Sequence, residues 1–573
     1  MIADDRGRGN AALEAQLTAI LRREIGSHNY DRAASPDDLV ALTKYVAQLK
    51  SASGAGAPPL VRTFFGQPLN VLVQRNLTGE PETSLAAAIY GTAGGHIHAN
   101  GLAIELYGAG LTMGADPGRG DSYWTKDQAE YYSQPPAHNT VIVNGRSDYG
   151  IAPKQQIPMT VQIAEPAWSD STQPAAALCP NVGFAQCGFE YAAPVTAAQQ
   201  RTLALVRPEG ADSGGLALHA GFYFDVFRSR AQPATSAAEA LPSANSHDQF
   251  HDYLYHNIGQ LISLTDAAGQ PLDIAASNQL DPDGTLLKGY TYFKNERSTK
   301  TADGWHARFG LTVADVPRMM DLWMPGQDGR TLFAVEAPPD HEARDDPRLK
   351  LMDQPMPTLI VRQRGDAWDR PFIAVYEPST GTRPSSIESV ETPRLSAQDR
   401  ALAGCVVHGK SSAYTVLLMQ DDHPTSPHAD VNGARFQGSF GVVIISGNRA
   451  PQLYLGSGTM LSSGQESLAA IPVTPGQAPA PVSAALWPDG AGWRYSASAP
   501  VRVTIPFTAP PGTTAVDGLG VFRGQAGSAK SCPAQLRISP DRNGANAVLA
   551  TVSLPADTDQ LLTLLTPVTP VAK

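Results

Sequence analysis

Three histidines and one aspartate stand close together in an otherwise apolar part of this sequence. His96 and His98 are separated by one residue in GGHIHANG, Asp116 lies in the turn ADPG, and His138 precedes the apolar run NTVIV. Residues two apart on a strand point to the same face, so both imidazoles of the pair should face one side of a sheet. Two or three imidazoles with one carboxylate suit a borderline-soft divalent metal, and zinc is the first choice.

Each part of this pattern also has an ordinary structural explanation. Paired histidines on a strand are often surface or hydrogen-bonded residues, and Asp116 is a typical turn former. His138 could simply hydrogen-bond a neighbouring loop. The metal prediction therefore rests on the combination of four polar side chains within apolar, strand-rich sequence.

The elements that would position these residues are strands. From residue 61 onward, segments alternate or run apolar for strand lengths and are separated by Gly, Pro, Asn and Asp. We expect a mainly β protein built on a large antiparallel β-sandwich (a supersandwich), without a helix of three turns or more after residue 60. Typical predicted strands are 69–75, 101–108, 139–145 and 201–208.

Four regions are predicted along the chain. Residues 1–50 contain two helices, the second marked by Ser35 as N-cap and Pro36 at its first position, and residues 51–60 read as a flexible linker. Residues 61–390 form the β-sandwich, and residues 391–573 form a C-terminal β-sheet domain.

The bulk composition excludes several classes of partner. The chain has 573 residues, a net charge of -11 and no block of Lys or Arg, which argues against nucleic acid and anionic membrane surfaces. No apolar run approaches the length of a membrane span. Cys179 and Cys187 predict either one disulfide in an exported protein or two buried thiols. The first residues lack a signal-peptide pattern, so the chain as written is cytoplasmic unless it starts downstream of the true start.

The order of these motifs resembles the heparinase II/III-like polysaccharide lyases, which include heparin/heparan and oligoalginate lyases. The motifs are H-x-H, a strand ending in GADPG, a Tyr-rich segment and AHNTVIVNG. The close resemblance covers residues 60–230, and a looser one continues through HDYLYHNIGQ, DLWMPG and LYLGSGTML. It implies a bacterial, periplasmic or secreted enzyme that takes an acidic, uronate-containing polysaccharide or oligosaccharide. A homodimer is one assembly compatible with it.

The resemblance also implies roles for individual residues. His98, Asp116 and His138 would bind a structural zinc, and His96 would contact the substrate uronate. A Tyr from the segment before HNT would line the same cleft, and Arg75 could supply a local cation. The implied reaction is β-elimination, in which a Tyr or His removes the C5 proton and a Tyr protonates the departing O4. The candidate tyrosines, which the sequence does not separate, are Tyr123, Tyr131 and Tyr132.

The sequence departs from the family at its start. Family members place a large α/α-toroid with catalytic residues before the sandwich, whereas residues 1–50 here hold only a helical remnant. One explanation is a chain that begins partway through a longer protein. The alternative functions are a non-catalytic polysaccharide-binding β-module that retains the zinc, and a β-fold oxygenase with iron at a His, His and carboxylate site.

Two further polar groups have structural interpretations. Asp225 and Arg228 in FDVFRS are expected to form a structural ion pair near a strand end. His251 and His256 in HDYLYHNIGQ are expected to hold a loop between strands rather than contact a ligand.

Overall fold

The structure is a computed structural model of the whole chain. The residues that it describes are 63–66, 69–76, 80–91, 98–145, 159–163, 179, 181–189, 197–208, 221–231, 249–341, 349, 354–395, 402–509, 515–516, 519–524, 529–540 and 546–565. The two predicted helices, the 51–60 linker and His96 lie outside these residues.

The first sheet carries the start of the histidine-rich segment. Its β4–β5 hairpin turns at Ala109 and Gly110, whose φ angles of 53° and 83° are the positive values that a tight two-residue hairpin needs. The sheet has five antiparallel strands in chain order: β1 (Thr63–Gly66), β2 (Val71–Asn76), β3 (Leu85–Tyr90), β4 (Ala103–Gly108) and β5 (Leu111–Gly114).

Two larger antiparallel sheets follow. Their strands are β6 (Val141–Val143), β7 (Met159–Ile163), β8 (Val182–Phe189), β9 (Ala197–Val206), β10 (Phe222–Ala231), β11 (Phe250–His256), β12 (Gln260–Asp266), β13 (Ala275–Ala276), β14 (Lys294–Thr301), β15 (Trp305–Val313), β16 (Val316–Met324), β17 (Arg330–Ala337), β18 (Met356–Arg364) and β19 (Ala367–Thr380). The eight-stranded sheet has the order β12-β15-β16-β19-β10-β9-β8-β7, and the six-stranded sheet has the order β13-β14-β17-β18-β11-β6.

A fifteen-stranded antiparallel sheet makes up the C-terminal part. Its strands are β20 (Ile387–Glu391), β21 (Ala403–Gly409), β22 (Tyr414–Gln420), β23 (His428–Val431), β24 (Ala434–Ser446), β25 (Gln452–Ser463), β26 (Glu466–Ala470), β27 (Val482–Asp489), β28 (Gly492–Ala497), β29 (Val501–Thr508), β30 (Gly520–Arg523), β31 (Lys530–Cys532), β32 (Ala534–Pro540), β33 (Asn546–Leu554) and β34 (Asp557–Leu565).

The described helical segments are single turns. They are a π-helical turn at Gln128–Tyr132 and 3-10 turns at Pro135–Ala137, Lys288–Tyr292 and Lys410–Ser412. The prediction of a mainly β fold built on large antiparallel sheets is confirmed. No helix within the described ranges is long and apolar enough to cross a membrane.

Strand β10 shows how the sequence builds the core. It runs between β9 and β19, and its residues 222–229 are buried on both faces, which explains its nearly continuous apolar sequence. Tyr223 and Phe227 point into a core formed by the first three sheets. Phe222 and Phe224 point into a second core that the eight-stranded sheet shares with the C-terminal sheet. We call the second one the shared core.

The same alternation overturns one expectation. Asp225 lies on the face of Tyr223, whereas Arg228 lies on the opposite face, because residues three apart on a strand point to opposite sides. Asp225 instead pairs with Arg201 on the neighbouring strand, and Arg228 donates to Gln420 of β22. The predicted Asp225–Arg228 ion pair is therefore wrong.

Cys179 and Cys187 are two buried thiols rather than a disulfide. Cys179, Cys187 and Cys405 are buried and take part in no disulfide. Burial raises the pKa of the Cys187 thiol to about 12, although the nearby Arg201 guanidinium opposes that rise. These are structural thiols rather than a disulfide or a reactive nucleophile.

Candidate functional site

The structure brings together the three residues that the sequence analysis proposed as metal ligands. One ligand atom from each of His98, Asp116 and His138 lies within 4.8 Å of the others. The rings of His98 and His138 are 5.6 Å apart between centroids. The three residues come from the segment before β4, the turn after β5 and the end of the Pro135–Ala137 turn, so only the tertiary fold places them side by side.

Asp116 is held by its own turn. Its Oδ1 accepts a hydrogen bond from the backbone N–H of Gly118 at 2.9 Å, and its Oδ2 lies 2.7 Å from Nδ1 of His138. Burial raises the pKa of the Asp116 carboxyl, but the charge and hydrogen bond of His138, with His98 and Gly118, outweigh burial and leave the pKa below its ordinary value. Asp116 is thus an ionised carboxylate aimed at an imidazole.

His138 presents a nitrogen that nothing else in the described structure uses. Its side chain is fully buried, and its Nε2 has no hydrogen-bond partner among the described residues. In the neutral tautomer whose Nδ1 proton is donated to Asp116, Nε2 would carry a lone pair, and a buried lone pair without a donor is unfavourable. A cation would satisfy it.

The donor set fits zinc. Neutral imidazole nitrogens and a carboxylate oxygen are ordinary zinc ligands, with bonds of about 2.0–2.2 Å. Ligand atoms on one tetrahedral ion lie about 3.3 Å apart, so a group already within 4.8 Å needs only a small closing movement. A carboxylate that orients a ligand imidazole is also a common arrangement around protein-bound zinc.

Asn139 and Thr140 lock the histidine segment in place. The Asn139 amide donates to the carbonyls of Ile104 at 3.0 Å and Ala115 at 3.2 Å, and its Oδ1 accepts from the backbone N–H of His256 at 2.6 Å. Thr140 Oγ1 donates to the carbonyl of Gly101. Asn139 thus ties the residue after His138 to the residue before Asp116, so the HNT tripeptide positions two of the three ligands.

Gln128 connects His98 to the adjacent loop. Its Nε2 lies 3.3 Å from Nε2 of His98, and its Oε1 accepts from the backbone N–H of Gly120 at 2.7 Å. His341 closes the other side of this loop, because its backbone N–H donates to the carbonyl of Pro117 and its Nδ1 lies 3.2 Å from Asp121 Oδ1. The residues 117–121 are therefore anchored around the candidate metal centre.

The three candidate tyrosines occupy different environments. Tyr132 is buried and its hydroxyl donates to the carbonyl of Pro339 at 3.0 Å. Tyr131 is also fully buried, and its hydroxyl has no hydrogen-bond partner in the described part of the chain. Burial, Tyr132 and the charge of Asp116 raise the pKa of Tyr131 well above its ordinary value. Tyr123 is 47% exposed, so it is the one of the three that reaches solvent.

Two predicted site residues remain, His96 and Arg75. His96 lies outside the described residues. Arg75 is partly buried on β2, with β3 between it and β4. The uronate-binding roles of His96 and Arg75 therefore stay predictions.

His251 and His256 have the structural surroundings that the sequence analysis favoured. Both are fully buried on β11; Nδ1 of His251 lies 3.1 Å from Ser229 Oγ, and Nδ1 of His256 lies 2.7 Å from Thr358 Oγ1. Burial lowers the pKa of His256 to about 3, with a further lowering from His138. His256 is therefore neutral at physiological pH.

Arg201 is the main residue near the site that the sequence did not reveal. Its fully buried guanidinium bonds both carboxylate oxygens of Asp225, at 2.8 and 2.6 Å. It also donates to the carbonyls of Leu102 at 2.8 Å and Asn139 at 2.6 Å. A signal existed in the polar run QQR before the apolar LALV of β9, but a lone arginine in a strand does not reveal its partners.

A second group of aspartate and histidine side chains, which could in principle bind a metal, already has hydrogen-bond partners within the protein. Asp421 Oδ2 lies 2.7 Å from Nε2 of His428, and its Oδ1 accepts from the backbone N–H of His423. Asp422 accepts from Trp368 Nε1 and lies 2.9 Å from Nδ1 of His423. Their carboxylate oxygens are already engaged, which identifies this group as a structural network.

Comparisons with known proteins agree with the motif order. Residues 83–179, which contain the three candidate ligands, match the family described as heparinase II/III-like, C-terminal. Residues 387–474 match the family described as endo-acting ulvan lyase C-terminal domain. A curated relative, the endo-acting ulvan lyase of Formosa agariphila, is 29% identical over 422 residues, covering 70% of this chain and 47% of the relative. The chain thus spans about half the length of this relative.

Two solved structures are also similar. Heparan sulfate lyase HepC from Pedobacter heparinus is 10% identical, with a TM-score of 0.37 over 66% of this chain and 47% of that one. A heparinase III is 9% identical, with a TM-score of 0.38 over 67% of this chain and 46% of that one. The sequence matches confirm the resemblance to heparinase II/III-like polysaccharide lyases.

Proposed function

From this relationship we propose that the chain is part of a polysaccharide lyase that cleaves an acidic, uronate-containing polysaccharide by β-elimination. The observation that carries the proposal is the convergence of His98, Asp116 and His138 within 4.8 Å, inside the segment that matches the heparinase II/III-like family. These residues would hold a zinc ion. When bound, zinc would fix the three segments and shape the wall of the cleft rather than activate a water molecule.

The reaction needs three tasks from side chains. The uronate carboxylate must be neutralised so that the C5 proton becomes acidic, a base must take that proton, and an acid must protonate O4 as the C4–O4 bond breaks. The C5–H electron pair becomes the C4–C5 double bond of the product. We assign contact with the uronate to His96, and proton transfer to the solvent-facing Tyr123. To Tyr131, which stays protonated because its pKa is raised by burial, we assign support of the cleft wall.

The matched relative supports the proposed class of substrate, an acidic polysaccharide. One matched relative is an endo-acting ulvan lyase, so ulvan is the first polymer to test. Heparan sulfate and alginate come next, because the sequence motifs resemble those of heparin/heparan and oligoalginate lyases. A periplasmic or secreted location fits enzymes that meet such polymers. A homodimer remains part of the proposal about assembly.

A second function is the alternative that the sequence analysis left open. The chain would then hold the metal centre and the cleft wall as a polysaccharide-binding module that does not cleave the polymer. The two functions differ in whether an unsaturated uronate is produced.

The test uses the purified full chain and a panel of ulvan, heparan sulfate and alginate. Cleavage is followed by the ultraviolet absorbance of the unsaturated uronate, and bound metal by elemental analysis. We expect about one zinc per chain, lost in His138→Ala and retained in the matched control His408→Ala, whose imidazole is partly exposed on β21. Cleavage that disappears in His96→Ala supports the lyase.

Two outcomes would redirect the proposal. Zinc with polymer binding but no cleavage would establish the binding module. A chain that carries iron in place of zinc would favour the oxygenase alternative, and a chain with neither metal nor activity would refute the assignment.

A further inference from the structure

The loop beside the candidate metal centre displays two aromatic side chains to solvent. Trp124 is 94% exposed, which makes it the most exposed large apolar side chain in the described part of the chain, and its neighbour Tyr123 is 47% exposed. A tryptophan gains little from such a position unless a ligand covers it, since its ring is among the most favourable surfaces to bury.

The backbone that carries these rings is not loose. The backbone N–H groups of Gly118 and Gly120 donate hydrogen bonds to the side chains of Asp116 and Gln128, respectively. The backbone N–H of Trp124 donates to Ser122 Oγ at 3.3 Å. Thr125 N–H donates to the carbonyl of Ser122 at 3.1 Å, so the loop ends in a compact turn. The exposed ring of Trp124 therefore stands on a fixed support that begins at a candidate metal ligand.

A cation accompanies the rings. The exposed Arg119 guanidinium lies 5.4 Å from the centroid of the Tyr123 ring, a cation–π geometry that holds the guanidinium beside the aromatic pair. Asp121, the acidic residue between them, is engaged by His341. Arg119 thus offers a planar, bidentate donor for a carboxylate or sulfate group.

We propose that Trp124, Tyr123 and Arg119 form a binding platform for one acidic sugar unit of the polysaccharide. The inference rests on the proposed action on an acidic polysaccharide. A pyranose ring has an apolar face of C–H groups that stacks on the Trp124 indole. The charged group at the edge of that sugar pairs with Arg119. Because the same loop contains Asp116, the platform places the chain of sugars across the candidate metal centre.

The first measurement is iodide quenching of tryptophan fluorescence in the full chain. Among seven tryptophans, the contribution of Trp124 is the difference between wild type and Trp124→Phe. We expect Trp124 to be quenched in the free protein and protected when ulvan, heparan sulfate or alginate is added at low salt. Trp124 that is already protected without polysaccharide is covered by another part of the protein, and that result overturns the platform.

The second measurement is affinity for the polymer that binds best. Trp124→Ala should weaken binding about five- to tenfold, Trp124→Phe less, and Arg119→Gln should weaken binding and reduce its salt dependence. Val473→Ala is the matched control, since Val473 is an 85% exposed apolar side chain in the loop between β26 and β27. All these variants should unfold at the wild-type temperature, because an exposed side chain contributes little to stability.

The outcomes separate the platform from the proposed function. Wild-type binding or cleavage that is unchanged in Trp124→Ala overturns the platform and leaves the lyase assignment standing. A wild-type chain that binds none of the three polymers overturns the platform, and if that chain also holds no metal and cleaves no polymer, the lyase assignment falls with it. Weaker binding in Trp124→Ala, with Val473→Ala unchanged, supports the platform whether or not the chain cleaves.

Discussion

Removing the Arg201 guanidinium should destabilise the sandwich and loosen the candidate metal centre together. The guanidinium makes two bonds to Asp225 and one each to the carbonyls of Leu102 and Asn139, all in a fully buried environment. Burial disfavours the charge on Arg201, but the Asp225 carboxylate raises the pKa of Arg201 above its ordinary value. The Arg201 guanidinium therefore stays charged inside the core.

The size of the effect follows from what is left behind. Arg201→Met strands a buried carboxylate, which costs about 3–5 kcal/mol in comparable buried ion pairs. The Leu102 carbonyl loses a charged donor, which costs about 1–3 kcal/mol more. Tyr253 still donates to Asp225 at 2.7 Å and offsets a little of this. We expect the free energy of unfolding to fall by about 4–7 kcal/mol.

Urea denaturation followed by circular dichroism measures this loss. The double variant Arg201→Met/Asp225→Leu removes both charges, so it should lose clearly less than the sum of the two single variants. A second variant, Arg201→Lys, keeps one charge but cannot reach both carbonyls and the carboxylate at once. It should fold and release zinc to a chelator about tenfold faster than wild type.

Two results would refute this reasoning. A loss below about 1 kcal/mol in Arg201→Met would show that the pair contributes little to stability. Additive effects in the double variant would show that Arg201 and Asp225 act independently, contrary to their contact geometry.

Three further predictions concern other parts of the fold. In the native protein a thiol reagent should label Cys532, which is partly exposed, but not the three buried cysteines. The variant Cys532→Ser should therefore show no labelling in the native state, and labelling of a second thiol would contradict the burial of the other three. Gly114→Val should lower the free energy of unfolding by about 1–3 kcal/mol, because a Cβ at Gly114 would lie 2.9 Å from the Tyr255 ring. The variant should also hold less of the proposed zinc, and an unchanged zinc content would contradict this prediction. Phe440→Ala should cost about 3–5 kcal/mol in urea denaturation, because Phe440 stacks on Phe184 at 4.5 Å in the shared core, and a loss below about 1 kcal/mol would show that the site collapses around the gap.

Much of the fold was predictable because strand alternation is a local property. The 201–208 prediction falls on β9, whose residues 201–206 are all buried and form a nearly continuous apolar run, and the 101–108 prediction falls on β4, where burial partly alternates. The choice of His98, Asp116 and His138 came from the resemblance to the lyases, because the spacing of the residues alone did not separate His96 from His98.

The rest depends on register between distant strands. Arg201 faces Asp225 because β9 and β10 are neighbours, and the local sequence does not specify which residue lies opposite. Asn139 sits beside a predicted ligand, yet its bonds to Ile104 and Ala115 depend on the packing of the β4–β5 hairpin. The same limit explains why the three tyrosines could not be ranked, since Tyr131 and Tyr132 contact residues 160 or more positions away, namely Tyr292 and Pro339.

The shared core limits how this protein can be divided into stable fragments. The family match that begins at residue 387 coincides with the start of β20, which suggests a convenient place to separate the C-terminal sheet. Yet Phe184 and Phe224 on one side and Phe440 on the other fill one apolar volume. A fragment ending before residue 387 would present that aromatic face to water. The smallest fragment that stays monomeric in solution should therefore include both sheets.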